Sequence, residues 1–254
     1  MSRPVAADAA SELPPESPIK PAATVMLVRD VPAGLAVFVL RRVAAMAFAP
    51  GMTVFPGGAV DPADHDPALD WTGPDAHWWA EHLQQSPGAA KALVVAAVRE
   101  LFEETGVLLA GPAGPSAAAA PLADPVRQGL IEHRITLASA LAGAGLRLRA
   151  DLLRPWANWI TPPGRTRRYD TFFFAAALPP GQQAEMLTTE ADLGQWRTPR
   201  ELFDERAAGT TALMPPTVAM LTDLAGYDSV AQVLAAERVV VPVRVRAGDF
   251  PGVG

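Results

Sequence analysis

The residues best suited to chemistry in this chain stand together in Arg99-Glu100-Leu101-Phe102-Glu103-Glu104-Thr105-Gly106-Val107. Three carboxylates and one guanidinium share this stretch, and the apolar spacing of Ala89–Thr105 predicts a helix that Gly106 would stop. At about 100° per residue, Val94, Val98, Leu101 and Phe102 fall on one side, with Glu100, Glu103 and Glu104 within one arc on the opposite side. Acids at such spacing repel one another, and near the C-terminal end they also face the negative pole of the helix dipole, so something cationic should compensate. Arg99 can pair with Glu103 one turn later, but one guanidinium cannot neutralise three acids. Oxygen donors, with no cysteine in the chain and no HxxxH pair, suit a hard divalent cation, Mg²⁺ or Mn²⁺, rather than zinc. The competing reading is a solvated acidic helix face.

The company of this cluster decides between the two. The stretch from Arg99 to Val107 matches REUxEExGU, where U is aliphatic, at every specified position. It resembles the second half of the Nudix box, Gx5Ex7REUxEExGU. The first half has a candidate in Gly58-Ala-Val-Asp-Pro-Ala-Asp64, with Asp64 where the pattern has Glu. Gly58 and Arg99 stand much further apart than the box allows, so an insert, much of His65–Gly88 with Trp71, Trp78 and Trp79, interrupts the motif. That interruption is similar to a long-insert subgroup typified by the mammalian peroxisomal coenzyme A diphosphatase. Phe48-Ala-Pro-Gly51, Val54-Phe55-Pro-Gly-Gly58, Trp159-Ile-Thr-Pro162, Arg168-Tyr-Asp-Thr-Phe-Phe173 and Leu213-Met-Pro-Pro216 agree, which extends the resemblance over roughly Ala22–Leu224. A coenzyme A signature, LLTxRSx3Rx3Gx3FPGG, is met at Arg42, Gly51 and Phe55–Gly58, but Val43 replaces its Ser and Ala47 its second Arg.

The resemblance implies a metal-dependent hydrolase that cleaves the diphosphate of a nucleoside-diphosphate-linked metabolite. Coenzyme A or acyl-coenzyme A is the lead substrate, giving adenosine 3′,5′-bisphosphate and phosphopantetheine. ADP-ribose or NADH diphosphatase activity is the alternative, and a non-catalytic ligand-binding domain the second. It implies Mg²⁺ or Mn²⁺ on Glu100, Glu103 and Glu104, with a backbone carbonyl of Gly57 or Gly58 completing the shell and Arg99 orienting a glutamate. Glu103 or Glu100 is the first candidate for the general base and Glu190 the second. Substrate would be met by Arg41, Arg42, Phe55 and Arg168. Arg165 and Arg167 are further candidate cations, and Met46, Phe48 and Met52 could line an apolar groove. The insert tryptophans could stack on a base, although packing of a short helix onto the domain is favoured. His65, His77, His82 and His133 form no ligand set and read as surface residues.

Positioning these groups takes an α/β fold, implied to be a Nudix-type α/β/α sandwich with a mixed β-sheet. Ala23–Arg29 and Leu35–Arg42 read as a hairpin, with a short strand at Thr53–Phe55. Further helices are expected over Asp75–Gln85, Pro125–Ala142, Pro199–Ala207 and Pro216–Leu224. Further strands are expected at Trp156–Thr161, Tyr169–Ala177, Gly194–Trp196 and Val239–Val245. Residues 1–21, rich in Pro, Ala, Ser and acids, read as a disordered lead-in to a single domain over 22–254 with the insert at about 65–88.

Composition sets the outer limits. With 254 residues, 50% hydrophobic and 19% charged, the chain can bury a core. Its formal charge of −6 repels nucleic acid, so phosphate must be held by local arginines or metal. No apolar run is long enough for a membrane span. Without cysteine or a signal-peptide pattern the expectation is a cytoplasmic protein acting on a small diphosphate substrate, with a homodimer compatible with the sequence.

Overall fold

The computed structural model describes residues 17–44, 49–112 and 122–244. The chain opens on the expected hairpin, β1 (Ile19–Val31) and β2 (Gly34–Arg42), paired antiparallel from Val28↔Val37 to Val31↔Gly34. β1 begins at Ile19, ahead of the expected start at Ala22, because Ile19–Pro21 pair in parallel with Arg168–Asp170. Two short strands follow, β3 (Met52–Val54) and β4 (Gly57–Ala59). A one-turn 3₁₀ helix at Pro62–His65 leads into the insert, which folds as β5 (Trp71–Thr72) and α1 (Ala76–Leu83), whose first turn Asp75 caps by accepting the Trp78 N–H.

The glutamate helix is α2 (Pro87–Thr105), entered by Ser86 as N-cap and Pro87, and stopped by Gly106 in the left-handed conformation at φ 73°. After β6 (Ala110–Pro112), the helix expected over Pro125–Ala142 is two helices, α3 (Asp124–Ile131) and α4 (Leu137–Gly143). His133 at φ 52° breaks the first, and a Thr136–Ser139 capping box starts the second. The chain continues through β7 (Leu146–Arg149), β8 (Leu153–Ile160), β9 (Arg168–Ala177), β10 (Ala191–Arg197) and α5 (Pro199–Ala207). It closes with β11 (Ala212–Leu213), α6 (Pro215–Leu224), α7 (Val230–Ala235) and β12 (Pro242–Arg244). The strand expected at Val239–Val245 is thus shorter, and Val245 lies outside the described residues.

The main sheet is mixed and runs β11-β3-β2-β1-β9-β8-β12, with β10 added to β2 and β4 to β1. β1 and β9 are parallel, while β8 and β9 form an antiparallel hairpin. β1 is central and apolar on both faces. Ala23, Val25 and Leu27 pack toward α2, and Met26 and Val28 pack on the other side with Leu202 of α5, Leu221 of α6 and Val233 of α7. This alternation makes the α/β/α sandwich.

α2 departs from the two-sided helix expected. Its Ala90 and Ala92–Arg99 are all buried, because α1 of the insert, the 3₁₀ turn, β4 and α3 pack on it in addition to β1. Trp79 is fully buried and reaches Phe174 of β9 with ring centroids 5.9 Å apart, while Trp78 stacks on His82 at 3.6 Å. Trp71 lies on β5, which pairs with β7 in a second, three-stranded sheet. The insert tryptophans are packing residues.

Candidate functional site

The C-terminal turns of α2 bring the predicted acids to one place, and Arg99 organises them. Its Nε and Nη2 donate to Oδ1 and Oδ2 of Asp64, both at 2.9 Å, and Nη2 also donates to the Ala59 carbonyl at 3.0 Å. Nη1 meets Glu100 at 2.8 Å and Glu103 at 3.4 Å. Asp64 is 1% exposed, so the interrupted first half of the motif is rebuilt in space on the second. The pairing expected for Arg99 with Glu103 alone is the longest of its carboxylate contacts. Burial opposes the guanidinium charge, but the Asp64 hydrogen bonds and the charges of Glu100, Asp64 and Glu103 outweigh it and hold Arg99 above its ordinary pKa.

The glutamates titrate high. Burial pushes Glu100 up to about 7 against the pull of Arg99, with Glu103 adding repulsion. Burial also raises Glu103, and it raises Glu104 strongly, with the Glu100 charge reinforcing the effect and a hydrogen bond from the Gly57 N–H opposing it. That bond is 2.9 Å long. Gly57 is held to glycine by the backbone it meets, whereas at Gly58 a side chain would displace the Glu100 carboxylate. Gly57 has φ 155°, and a Cβ there would lie 2.4 Å from the Ala23 carbonyl oxygen; at Gly58 it would lie 2.5 Å from the Glu100 carboxylate.

These acids form one wall of a cavity of about 900 Å³. Ala22 and Thr24 of β1 with Thr171 and Phe173 of β9 line it from the sheet, and Phe55, Met52, Met214 and Pro216 add apolar surface. The segment joining β8 to β9 brings Arg165 and Arg167, flanked by Trp159 and Tyr169. Arg42 and Glu190 both line the cavity and pair at 3.3 Å.

Two expected substrate residues lie elsewhere. Arg41 does not line the cavity: neighbours on a strand point to opposite faces, and Arg41 pairs with Asp192 at 2.7 Å while Arg42 faces inward. Arg168 is turned away for the same reason. Tyr169, Thr171 and Phe173 face the cavity, and Arg168 is buried with its Nε donating to the Thr161 carbonyl at 3.3 Å. Met46, Ala47 and Phe48 lie outside the described residues. None of Trp71, Trp78 and Trp79 lines the cavity.

Sequence reasoning missed α3. Gln128 and Ile131, with His133 just beyond the helix, line the cavity, and His133 is the exposed residue expected, its side chain 75% exposed. Nothing in the local periodicity of α3 marks that placement. Trp159 and Tyr169 carried a signal, since both fall in segments that matched the family pattern.

Among the described residues no three Asp, Glu or His side chains converge as a ready-made metal cage, because Glu100 and Glu103 lean on Arg99 and Glu104 on the Gly57 N–H. The donor set fits a hard divalent cation all the same. It is made of carboxylate oxygens, and the enclosure that raises all three pKa values is a cost that a cation would remove.

A family model described as the NUDT19 Nudix domain matches residues 80–224. The chain is similar to the acyl-coenzyme A diphosphatase NUDT19 of Homo sapiens, at 31% identity over 77% of this chain and 62% of that one. It is similar also to the Gallus gallus protein of the same name, at 29% over 75% and 61%. It thus spans less than two thirds of the length of these relatives. The structure superposes on the crystal structure of a NUDIX hydrolase from Alicyclobacillus acidocaldarius with a TM-score of 0.72 and 28% identity, covering 88% of this chain and 98% of the other.

Proposed function

Because the chain belongs to the Nudix hydrolase family, we propose that it is a Mg²⁺- or Mn²⁺-dependent diphosphatase whose lead substrate is coenzyme A or an acyl-coenzyme A. The observation that carries this reading is the division of one cavity. The acids of α2 line one wall, and Arg165 and Arg167 with the apolar and aromatic surface of Phe55, Trp159 and Tyr169 line another. A diphosphate needs the first; a 3′-phosphate, an adenine and a pantetheine arm need the second.

Glu100, Glu103 and Glu104, with a carbonyl of Gly57 or Gly58, would hold the divalent cation, which supplies neutralisation of the diphosphate charge and activation of water. Arg99 keeps Glu100 and Glu103 oriented while Asp64 balances its charge. Glu103 or Glu100 is the first candidate to take the proton of the attacking water, and Glu190, paired with Arg42 and close enough to raise the Glu104 pKa, the second. The water oxygen bonds to one phosphorus, the bridging P–O bond breaks, and the other phosphate leaves. Arg42, Phe55, Arg165 and Arg167 contact the substrate. The products are adenosine 3′,5′-bisphosphate and the (acyl)phosphopantetheine.

The presence of all three box glutamates favours turnover over a binding-only domain. The net charge of −6 disfavours nucleic acid as substrate, and among the described residues no helix is long and apolar enough to cross a membrane. The test is a panel of coenzyme A, acyl-coenzyme A, dephospho-coenzyme A, ADP-ribose and NADH, with products identified by mass. A higher kcat/KM for ADP-ribose or NADH than for coenzyme A and its esters would overturn the coenzyme A reading and leave the diphosphatase class.

A further inference from the structure

The last four carbonyls of a helix have no partner within it. In α2 these belong to Phe102, Glu103, Glu104 and Thr105, and the residues that satisfy them come largely from elsewhere in the fold. Gly106 takes the first by its own N–H at 2.9 Å. Leu187 N–H donates to the Glu104 carbonyl at 3.0 Å and Glu185 N–H to the Thr105 carbonyl at 3.1 Å. Arg127 of α3 supplies the remaining donor, its Nη1 reaching the Glu103 carbonyl at 2.9 Å. The same nitrogen donates to the Leu187 carbonyl at 3.2 Å. One cation therefore joins the acid-bearing turn to the segment Glu185–Glu190, with its side chain only 11% exposed.

That segment is part of the site. Leu187, Thr188, Thr189 and Glu190 all line the cavity. Its far end is tied to β2, where the Val43 N–H donates to the Glu190 carbonyl at 2.9 Å and Arg42 pairs with the Glu190 carboxylate. Its near end is held by the carbonyls of α2 and by Arg127. We infer that Arg127 is a positioning residue, which fixes the wall containing Glu190 at a set distance from the glutamates of α2. A guanidinium is also suited to the negative pole of α2, where a neutral donor would be held less firmly.

Both carbonyl bonds come from a single nitrogen, so a lysine ammonium retains them in kind and alanine abolishes them. In the full chain, R127A should speed amide exchange across 185–190 while leaving α1 unchanged, and R127K should restore most of the protection. The activity arm rests on the diphosphatase reading. R127A should lower kcat/KM about tenfold, R127K should recover to within about threefold of wild type, and the effects of R127A and E190Q should fall short of multiplying. Should R127A not fold, R127Q is measured in the same way. Unchanged exchange at 185–190, or effects of R127A and E190Q that multiply as independent sites do, overturns the inference. Absence of turnover on every diphosphate would sink the proposed function instead, and the exchange measurement would still decide the role of Arg127.

Discussion

Asp64 and Arg99, 35 positions apart in the chain, meet in a two-pronged ion pair with both N···O distances at 2.9 Å. The insert leaves the fold just after Asp64 and returns through α1 to α2, so this pair closes the loop that the insert opens. It also explains how an aspartate can stand where the family pattern has glutamate: Asp64 is capped within its own 3₁₀ turn by the Asp61 N–H at 2.8 Å and still reaches the guanidinium. Loss of one partner from a buried pair strands the other charge, at about 3–5 kcal/mol. D64N should therefore destabilise the protein by about that amount in chemical denaturation and lower kcat, since Arg99 would then lean more heavily on Glu100 and Glu103. A loss under about 1 kcal/mol would show the pair to be incidental.

Glu104 is the acid with the least compensation among the three. E104Q retains an oxygen to accept the Gly57 N–H and relieves repulsion with Glu100, so the metal-free variant should melt no lower than wild type. Its kcat should fall on the order of 10²-fold or more. Turnover within about threefold of wild type would contradict a metal-holding role for Glu104.

The carboxyl of Glu100 gives the metal-free protein a pH signature. Its folded value of about 7 lies above its ordinary 4.5, so its contribution to stability is complete below 4.5 and is lost as pH rises through about 7. Thermal midpoints of the metal-free protein should fall between pH 5 and pH 8, and saturating Mg²⁺ or Mn²⁺ should flatten that slope by binding the ionised form. A midpoint that rises with pH over this window in the absence of metal would refute the assignment.

The insert should behave as core. Replacement of His65–Gly88 by a short linker would strip α1 from α2 and expose Val94–Val98 and the Trp79 pocket, so an insoluble or molten product is expected. W79A is the milder version, with a stability loss of about 3–5 kcal/mol and substrate preference unchanged in the folded fraction. Altered preference among coenzyme A, ADP-ribose and NADH with stability intact would instead place the insert at the site.

Arg165 and Arg167 should govern the 3′-phosphate. The double variant R165A/R167A should lose most of the preference for coenzyme A over dephospho-coenzyme A, a contact worth about 1–3 kcal/mol. R41A, whose side chain pairs with Asp192 away from the cavity, should keep kcat/KM within about twofold of wild type. A steady-state comparison of the two substrates reads both, and an R41A variant that loses the preference would reverse the placement.

Several elements were legible in the sequence because their causes are local. The hairpin of β1 and β2, the helix α2 with its stop at Gly106, and α5 at Pro199–Ala207 follow from apolar period, proline and glycine placement within a few residues. The acids of the site were legible for the same reason, being carried on one helix in one motif. Which face of each element is covered depends on partners far away in the chain, and there the sequence alone was insufficient. A pair such as Arg41 and Arg42 presents one side chain to each face, and only the position of β10 and the cavity decides which of them lines that cavity. Arg168 fell outside the cavity lining, and Tyr169 entered it, by the same alternation along β9. The burial of α2 around its acids came from β4 and the 3₁₀ turn at Pro62–His65, and that of its earlier turns from α1, the insert helix. Arg127 took its place only because α3 and the segment at Leu187 converge on the C-terminal end of α2. Period and propensity act over neighbouring residues, whereas burial and ion pairing are set by whatever the fold brings within a few ångströms.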